Sequence, residues 1–518
     1  MNKLSLRTAA IVLALIATPA LAAGGNHHHG MNNSGAAKVQ PPLPQQSVTH
    51  GVVNVEGNRI NYKAIAGIMI LKNDKGKPYT SMSYFAYIKS GVTHHSDRPI
   101  TFFYNGGPGS STVWLHMLAF GPKLVKVGSG TLTPPAPYRM VNNDYSLLDA
   151  TDMVFVDAPG TGFGRVLGKA QGGVGTPKDV YGIDPDAKAF TRFITQYLSQ
   201  HNRWNSPKFL YGESYGTTRS AVLAGDLEKR SVGLNGVILQ SSILNFDLSV
   251  DDPQRNPGVN ISYATGLPSY AATAWYHHKL PTQPKNLNSF LKQVEQFAMT
   301  DYLKALNAGN RIDAATKQKV AAQMHAYTGL PIAYILKANL KVTGGQFAHE
   351  LLGAGDDVTG RLDSRYSGPA MDPMSEFAYY DPLDSAIDAP TVSEFNAYVR
   401  NTLNFGKNLI YRPMIYGSMH WSWKQKGRSG TPNVMNNLAR AMKFNPNMKV
   451  LLTGGYFDLG TPFYAAEFEM HQLPIPPSLQ KNISYAFFKS GHMVYLNPVA
   501  HKGLHDAVAK FIEADYRH

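Results

Sequence analysis

Hydrophobic and polar residues alternate between Val52 and Tyr87, as in VVNVEGNRINY, AIAGIMIL and SMSYFAYI. Turn-forming residues separate these runs at 56–58 and 73–76. A period of two residues is typical of strands that bury one face and expose the other. The pattern therefore predicts antiparallel strands at one edge of a sheet.

Short apolar runs then follow, each ending in a glycine-rich or charged turn. Runs of this length are typical of strands buried on both faces of a sheet. Helical patterns lie between several of them, at Asp186–Gln200 and Thr217–Lys229. Strands that alternate with helices predict an α/β fold with a mainly parallel sheet. The runs are ITFFYNGG, DMVFVDAPG, KFLYGES, GVILQSSIL, KVLLTGGYFD and ISYAFFKSG.

This alternation disappears between 251 and 444, where helical patterns such as NSFLKQVEQFAMTDYLKALNAG dominate. Strand-like runs return afterwards, so the region is predicted to be a helical insertion, or cap, that covers the sheet. The predicted core therefore has two parts, residues 49–250 and residues 445–518, with the insertion at 251–444 between them.

The N-terminus has the pattern of a secretory signal peptide, predicted over residues 1–22. Lys3 and Arg7 precede an apolar stretch too short to span a bilayer, and the small residues of Ala20-Leu21-Ala22 form a cleavage signal. Residues 23–48 are rich in His, Asn, Gly, Pro and Gln without periodicity, which predicts a flexible linker.

The linker contains His27, His28 and His29, but no cysteine or carboxylate completes a ligand set, so we predict a solvated linker and no metal site. No later stretch is apolar for long enough to span a membrane. The chain has no cysteine, whereas secreted eukaryotic enzymes of this size usually contain disulfides. The signal peptide and the absence of cysteine predict an exported bacterial protein, periplasmic or secreted, without stable membrane insertion.

The composition allows a large core, since 43% of the 518 residues are hydrophobic and 16% are charged. The 49 basic and 35 acidic residues give a net charge of +14. The basic residues are scattered and form no run, which argues against a nucleic-acid partner. A basic surface that aids solubility or attracts acidic polymers is the preferred interpretation.

The stretch FLYGESYGTTRSAV contains a Gly-x-Ser-x-Gly motif centred on Ser214. The motif follows a predicted strand and precedes a predicted helix, which is the context of a nucleophile elbow. Its glycines are expected for steric reasons, because a side chain two residues before or after the serine would clash in so sharp a turn. We therefore predict that Ser214 is a catalytic nucleophile.

A nucleophilic serine needs a general base and a carboxylate that orients the base. In α/β hydrolases these residues follow the serine in the order acid, then histidine, each at a strand end. Asp458 follows the run VLLTGGYF, and His492 follows SYAFFKSG near the end of the chain. The order and the strand-end positions predict Asp458 as the acid and His492 as the base of an α/β-hydrolase fold.

The oxyanion of an acyl-transfer intermediate needs two backbone N–H donors. One is expected from Tyr215, directly after the nucleophile. The other is expected from the loop NGGPGSS, where Pro108 has no N–H and Gly107 is the predicted donor. A phosphate-binding loop is disfavoured, because no Gly-Lys-Ser/Thr follows. This chemistry requires neither a metal nor a cofactor, and none is predicted.

The blocks NGGPGSS, DMVFVDAPGTGFG, GESYG, GYFD and GHMV, in this order, resemble the serine carboxypeptidase family, the peptidases similar to carboxypeptidase Y. The resemblance implies the triad Ser214, Asp458 and His492. It also implies that Asn105 and Glu213 bind the terminal carboxylate of a peptide substrate. The chain departs from the family in three places: Phe103 stands where Trp is common, there are no disulfides, and DLGTPFYAAE follows the acid.

The carboxyl group of Glu213, directly before the predicted nucleophile, can also be explained on physical grounds. Two ionised carboxylates repel each other, so a partly buried Glu213 beside a bound C-terminus is expected to hold a proton and to donate a hydrogen bond. Asn105 would donate a second bond, and a peptide without a free C-terminus would leave both donors unpaired. The alternative is that Glu213 is an exposed turn residue or a charge at the N-terminus of a helix.

These observations predict a carboxypeptidase that acts on peptides with a free C-terminus and is favoured at acidic pH. An esterase or acyltransferase remains open, because one triad serves any acyl transfer. An aminopeptidase similar to proline iminopeptidase, which also has a GGPG loop, is a second alternative. A binding protein without activity is disfavoured, because every triad position is filled.

Overall fold

The computed structural model describes residues 45–353, 356–375 and 377–514. The predicted signal peptide and the three histidines of the linker lie outside the described residues. The end of the predicted linker is described by the structure. Residues 45–48 belong to the first strand, Gln45–Val55, and pair with the strand that follows. The linker boundary at 48 is therefore wrong: backbone pairing at the sheet edge orders residues whose composition is typical of a tether.

The described residues form thirteen strands, of which nine build one large sheet. The strands are β1 (Gln45–Val55), β2 (Asn58–Lys72), β3 (Pro78–Lys89), β4 (Ile100–Tyr104), β5 (Lys123–Val125), β6 (Met140–Asn142), β7 (Asp152–Val156), β8 (Lys208–Glu213), β9 (Gly236–Gln240), β10 (Asp357–Thr359), β11 (Ser367–Pro369), β12 (Lys449–Gly455) and β13 (Ile483–Phe488).

The large sheet has the strand order β1-β2-β3-β7-β4-β8-β9-β12-β13. The pairs from β1 to β7 in this order are antiparallel, and every pair from β7 to β13 is parallel. The prediction of a mainly parallel sheet with antiparallel edge strands is confirmed. Because the parallel strands share one direction, their carboxyl ends meet at a single edge, where ligands bind in open α/β sheets.

Thirteen α-helices pack around the sheet within the described residues. They are α1 (Ile183–Gln200), α2 (Tyr215–Glu228), α3 (Ile261–Tyr276), α4 (Leu287–Phe297), α5 (Leu303–Ala308), α6 (Ala314–Thr328), α7 (Ile332–Lys337), α8 (Gly344–Glu350), α9 (Pro382–Asn401), α10 (Met435–Phe444), α11 (Phe463–His471), α12 (Pro477–Gln480) and α13 (Pro498–Ala514). None of the helices in the described part of the chain is both long and apolar enough to cross a bilayer.

The central strands are apolar throughout because the sheet is covered on both faces. In β4, Phe102 packs in one hydrophobic cluster with α1 and α2, whereas Phe103 packs in a second cluster with α9 and α13. Adjacent side chains of a strand point to opposite faces, so a strand between two helical layers needs hydrophobic residues at successive positions. This is the physical basis of the apolar runs in the sequence.

The predicted insertion is helical, but its side chains do not form one unit. Helices α3 to α8 pack in a third cluster, together with Phe457 and Phe463 from the segment after β12. Helix α9 packs instead in the cluster of α13, and α10 packs in that of α1 and α2. The division at 251 and 444 therefore remains a prediction, while the last two helices of that region cover the sheet directly.

Candidate active site

The predicted nucleophile Ser214 lies between β8 and α2, which begins at Tyr215. Its backbone has φ 61° and ψ −130°, which is strained for a residue with a side chain. A Cβ on Gly212 would lie 2.3 Å from the carbonyl oxygen of Gly216, and one on Gly216 would lie 2.8 Å from a carbonyl oxygen at the end of β4. The steric reason given for both glycines is therefore confirmed.

The structure brings the predicted acid and base together. Asp458 follows β12, His492 follows β13, and Oδ2 of Asp458 lies 2.7 Å from Nδ1 of His492. The other carboxylate oxygen accepts hydrogen bonds from the backbone N–H groups of Gly460 and Thr461, at 2.8 and 2.9 Å. Burial lowers the pKa of His492, and the neighbouring Asp458 raises it; the net shift is upward. The imidazole is thus oriented, and its charged form is stabilised.

Ser214 and His492 are connected by hydrogen bonds through the end of β9. The N–H of Ser214 donates to the carbonyl oxygen of Gln240 at 3.0 Å. The side chain of Gln240 donates to the carbonyl oxygen of His492 at 3.1 Å, and the hydroxyl of Ser241 donates to the same oxygen at 2.6 Å. Gln240 therefore forms hydrogen bonds both with the backbone of Ser214 and with the loop that carries His492.

The predicted oxyanion donors lie beside the serine. Gly107, Ser214 and Tyr215 line the same cleft. Gly107 has φ +106°, a conformation that favours glycine. A Cβ on the preceding Gly106 would lie 2.4 Å from the backbone nitrogen of Tyr215, so the two donor segments pack against each other. Tyr215 is the first residue of α2, so its N–H has no carbonyl acceptor within the helix.

Glu213 and Asn105 form a buried pair directly behind the elbow. Glu213 is 2% exposed and Asn105 is 3% exposed, so the alternative of an exposed turn residue is wrong. The amide of Asn105 donates to Oε1 of Glu213 at 2.6 Å, and the amide of Gln240 donates to Oε2 at 2.7 Å. The N–H of Leu115 in turn donates to Oδ1 of Asn105 at 3.1 Å. Burial raises the pKa of Glu213 to about 7.

Two of these residues were missed by the sequence analysis. Gln240 ends the run GVILQ, and a polar residue at the end of a buried strand is a signal that could have identified it. Thr461 follows the predicted acid by three residues, and its hydroxyl lies 2.7 Å from Oδ2 of Asp458. Its role depends on how the turn after β12 folds back, which no sequence pattern indicates.

The cleft above Ser214 has a volume of about 980 Å³. Its apolar lining includes Phe246 and Trp423, whose rings lie 5.0 Å apart, and Tyr215, whose ring lies 6.1 Å from that of Trp423. Acidic and basic side chains line it in equal number, so the cleft lacks the strong positive charge of the whole chain. These charged residues are Asp247, Asp251, Asp252, Arg255, Arg361 and Arg428.

Among the described residues, one group has side chains close enough to share a metal ion. Glu56, His505 and Asp506 offer ligand atoms within 4.8 Å of one another. Lys502, however, forms ion pairs with both carboxylates, at 2.6 and 2.9 Å. This lysine binds both carboxylates and offsets one of their two negative charges, so the contacts of the group are explained without a metal.

The nucleophile elbow, the Asp–His pair at the carboxyl edge of the sheet and the strand order define an α/β hydrolase. The model of the family described as serine carboxypeptidase matches residues 57–343. Since this is more than half of the chain, the protein belongs to the serine carboxypeptidase family. The match includes Ser214 and ends before Asp458 and His492.

Individual relatives agree with this assignment. Serine carboxypeptidase-like 3 of Arabidopsis thaliana is 27% identical over 176 residues, which are 32% of this chain and 36% of the relative. Carboxypeptidase Y homolog A of Phaeosphaeria nodorum is 24% identical over 150 residues, 28% of this chain and 24% of the relative. The alignments thus span about a third or less of these curated relatives.

A solved structure is similar over most of the chain. It is that of Kex1(delta)p, a prohormone-processing carboxypeptidase from Saccharomyces cerevisiae, with a TM-score of 0.56 and 15% sequence identity. The similarity covers 88% of this chain and 92% of that chain. At this level of identity the likeness establishes the fold, which is the predicted α/β-hydrolase fold.

Proposed function

We propose that this protein is a serine-type carboxypeptidase that removes C-terminal amino acids from peptides. Family membership supports the class of reaction. The observation that carries the proposal is the hydrogen-bonded pair of Glu213 and Asn105, buried beside the nucleophile elbow. A protonated carboxyl group and an amide at this place are suited to bind the terminal carboxylate of a peptide while its last peptide bond lies at Ser214.

In the proposed reaction, Oγ of Ser214 attacks the carbonyl carbon of the last peptide bond and His492 takes the hydroxyl proton. The electron pair of the carbonyl moves to its oxygen, which the N–H groups of Gly107 and Tyr215 stabilise. The C–N bond then breaks, and the proton passes from His492 to the departing amino group. Water repeats the steps on the acyl-enzyme and releases the shortened peptide.

The proposed preference for acidic pH follows from Glu213. Burial raises the pKa of this carboxyl group to about 7, so it carries a proton below that pH. A protonated Glu213 donates to the substrate carboxylate, whereas an ionised one repels it. Binding of a free C-terminus should therefore weaken as the pH rises through about 7.

Mass spectrometry of a peptide library tests the reaction. Each peptide is offered with a free or an amidated C-terminus, across a range of pH, beside a Ser214→Ala control. We expect stepwise loss of C-terminal residues from the free peptides and no such loss with the control. Release of N-terminal residues, or hydrolysis of esters alone, would instead support an aminopeptidase or an esterase.

Substitution of Glu213 by Gln tests the role of the carboxyl group. The amide of the glutamine cannot ionise. Its single oxygen can accept from Asn105 or from Gln240, and the amide of the remaining residue must then rotate by 180° to present its own oxygen to the new N–H group. We expect the ratio of kcat/KM for free peptides, wild type over Glu213→Gln, to fall as the pH rises through about 7, because ionisation of His492 affects both enzymes and ionisation of Glu213 affects the wild type alone. Glu469→Gln, a change in another buried glutamate, should keep the wild-type profile. A wild-type profile in Glu213→Gln would contradict the proposed role.

We also propose export, for which residues 1–22 provide the support. The small-x-small pattern of Ala20-Leu21-Ala22 supports signal cleavage near Ala22. Cell fractionation and N-terminal sequencing test this proposal, because a protein that stays in the cytoplasm with Met1 intact would contradict it.

A further inference from the structure

Arg219 is a buried cation that connects the segments on both sides of the nucleophile elbow. It lies in the second turn of α2, and its side chain is fully buried. Its Nε donates to Oδ2 of Asp186 on α1 at 2.6 Å, and Nη2 donates to Oδ1 at 3.3 Å. Its Nη1 donates to the backbone carbonyl oxygen of Asn105 at 2.8 Å.

Three aromatic rings surround this guanidinium. Its carbon lies 4.4 Å from the ring centre of Phe190, 5.3 Å from that of Tyr104 and 5.4 Å from that of Tyr215. A planar guanidinium can stack on rings while its fork of N–H groups binds a carboxylate and a carbonyl, and an ammonium group cannot reproduce this geometry. The position of Arg219 is therefore fixed by α1, the end of β4 and the start of α2 together.

The bond to Asn105 bears on the proposed catalytic groups. Because a peptide unit is planar, holding the carbonyl of Asn105 fixes the Asn105–Gly106 peptide. The next peptide carries the N–H of Gly107, and the side chain of Asn105 binds Glu213. Arg219 also contacts the ring of Tyr215, whose backbone provides the second proposed oxyanion donor.

We propose that Arg219, held by Asp186, is a positioning residue that sets the distance between the oxyanion donors of Gly107 and Tyr215. The proposal rests on the proposed acyl-transfer function of Ser214. It goes beyond that function because Arg219 touches neither the acid nor the base and acts through the backbone of other residues.

A second buried arginine–aspartate pair, in which the aspartate Asp152 also binds Nε of Arg98 at 3.2 Å, is the control. Nη1 of Arg203 donates to Oδ2 of Asp152 at 2.6 Å, and Nη2 donates to a backbone carbonyl oxygen at 2.8 Å. Both residues are buried to a similar degree as Arg219 and Asp186. Asp152, however, begins β7 and lies at the amino ends of the parallel strands, whereas Ser214 lies at their carboxyl ends. Loss of this pair should lower stability without moving the oxyanion donors.

The experiment compares Arg219→Lys with Arg203→Lys in the full chain. The readouts are thermal unfolding, kcat and KM for peptides, and the rate at which a fluorophosphonate labels Ser214. We expect both variants to unfold at lower temperature, because a lysine cannot replace the fork of either arginine. Labelling should slow at least about tenfold in Arg219→Lys, since a misplacement of about 1 Å can cost roughly 100-fold. It should stay within about twofold of the wild type in Arg203→Lys.

Labelling at the wild-type rate in Arg219→Lys, or equal slowing in both variants, would overturn the positioning role. If Arg219→Lys does not fold, Asp186→Asn provides the same comparison, because it keeps the shape of the partner and removes its charge. A wild type that labels at Ser214 but releases no C-terminal residues would refute the proposed function and leave the positioning role intact. The two proposals therefore fail separately.

Discussion

At the scale of single residues, the hydroxyl of Thr461 contacts both the predicted acid and the predicted base. Its Oγ1 lies 2.7 Å from Oδ2 of Asp458, 3.1 Å from Nδ1 of His492 and 3.0 Å from the carbonyl oxygen of Ser241. The hydroxyl has one hydrogen, so it donates either to Asp458 or to Ser241 at a given moment. When it donates to Asp458, it stabilises the negative charge that orients the imidazole.

We expect Thr461→Val to lower kcat by about tenfold, because a hydrogen bond to a charged group contributes about 1.5 kcal/mol. Valine keeps the shape and removes the donor. Thr328→Val is the matched control, since the hydroxyl of Thr328 donates only within α6, to the carbonyl oxygen of Met324 at 2.7 Å. Steady-state kinetics of both variants measure the effect. An unchanged kcat in Thr461→Val would show that the hydroxyl bonds to Ser241 instead.

At the scale of secondary-structure elements, the site depends on a close contact between the loop after β4 and the start of α2. A Cβ on Gly106 would lie 2.4 Å from the backbone nitrogen of Tyr215 and 2.7 Å from the carbonyl oxygen of Glu213. Both neighbours are backbone atoms of a rigid elbow and cannot move aside. A side chain at position 106 must therefore displace the loop that carries Gly107.

We expect Gly106→Ala to lower kcat at least about 100-fold, the loss that follows removal of one oxyanion donor. Gly225→Ala is a matched control within α2, because a Cβ there meets nothing within 4 Å. It should leave kcat unchanged and raise the free energy of unfolding by about 0.5–1 kcal/mol, the helix preference for alanine over glycine. Kinetics and urea unfolding measure both effects. Full activity in Gly106→Ala would mean that the loop is not held by this contact.

The elements that carry the site could be predicted from the sequence, because each is encoded locally. The run KFLYGES became β8 and its elbow, and GYFD and SGH became the turns after β12 and β13. Arg219 could not be predicted in this way. Its partners Asp186 and Asn105 come from other elements, and only the packing of α1 on α2 brings them together. An arginine in a helix gives no sequence signal that it is buried.

At the scale of the whole molecule, the sheet joins segments that lie far apart in the sequence. Strand β9 pairs directly with β12, although the region at 251–444 separates them. The sequence predicted that this region is helical, since helical periodicity is local. Its distribution among three hydrophobic clusters could not be predicted, because apolar helix faces do not specify which surface they will cover.

Buried ionisable groups make the stability of the whole molecule depend on pH. Burial raises the pKa of Glu213 and Glu295 to about 7 and that of Glu469 to about 8. These glutamates keep protons that the unfolded chain releases, so they reduce the free energy of unfolding as the pH rises from about 4.5. Burial also lowers the pKa of three histidines, which destabilise the fold as the pH falls below 6.5. They are His116, with a pKa of about 3, and His201 and His501, with a pKa of about 4.

Buried aspartates act in the same sense as the glutamates, because burial raises the pKa of Asp157 and Asp388 to about 6 and that of Asp384 to about 8. We therefore expect stability to fall from pH 6.5 to 8, where the carboxyl groups with the highest pKa release protons on unfolding and the three histidines are neutral in both states. Glu469 should contribute about 2 kcal/mol to this fall, since each pKa unit corresponds to about 1.4 kcal/mol. Its carboxylate accepts hydrogen bonds from the N–H groups of Leu244 and Asn245, and the oxygen of a glutamine can accept them too. Urea unfolding followed by tryptophan fluorescence should show a smaller fall in Glu469→Gln. A free energy of unfolding that rises from pH 6.5 to 8 in the wild type would contradict the raised pKa values of these buried glutamates.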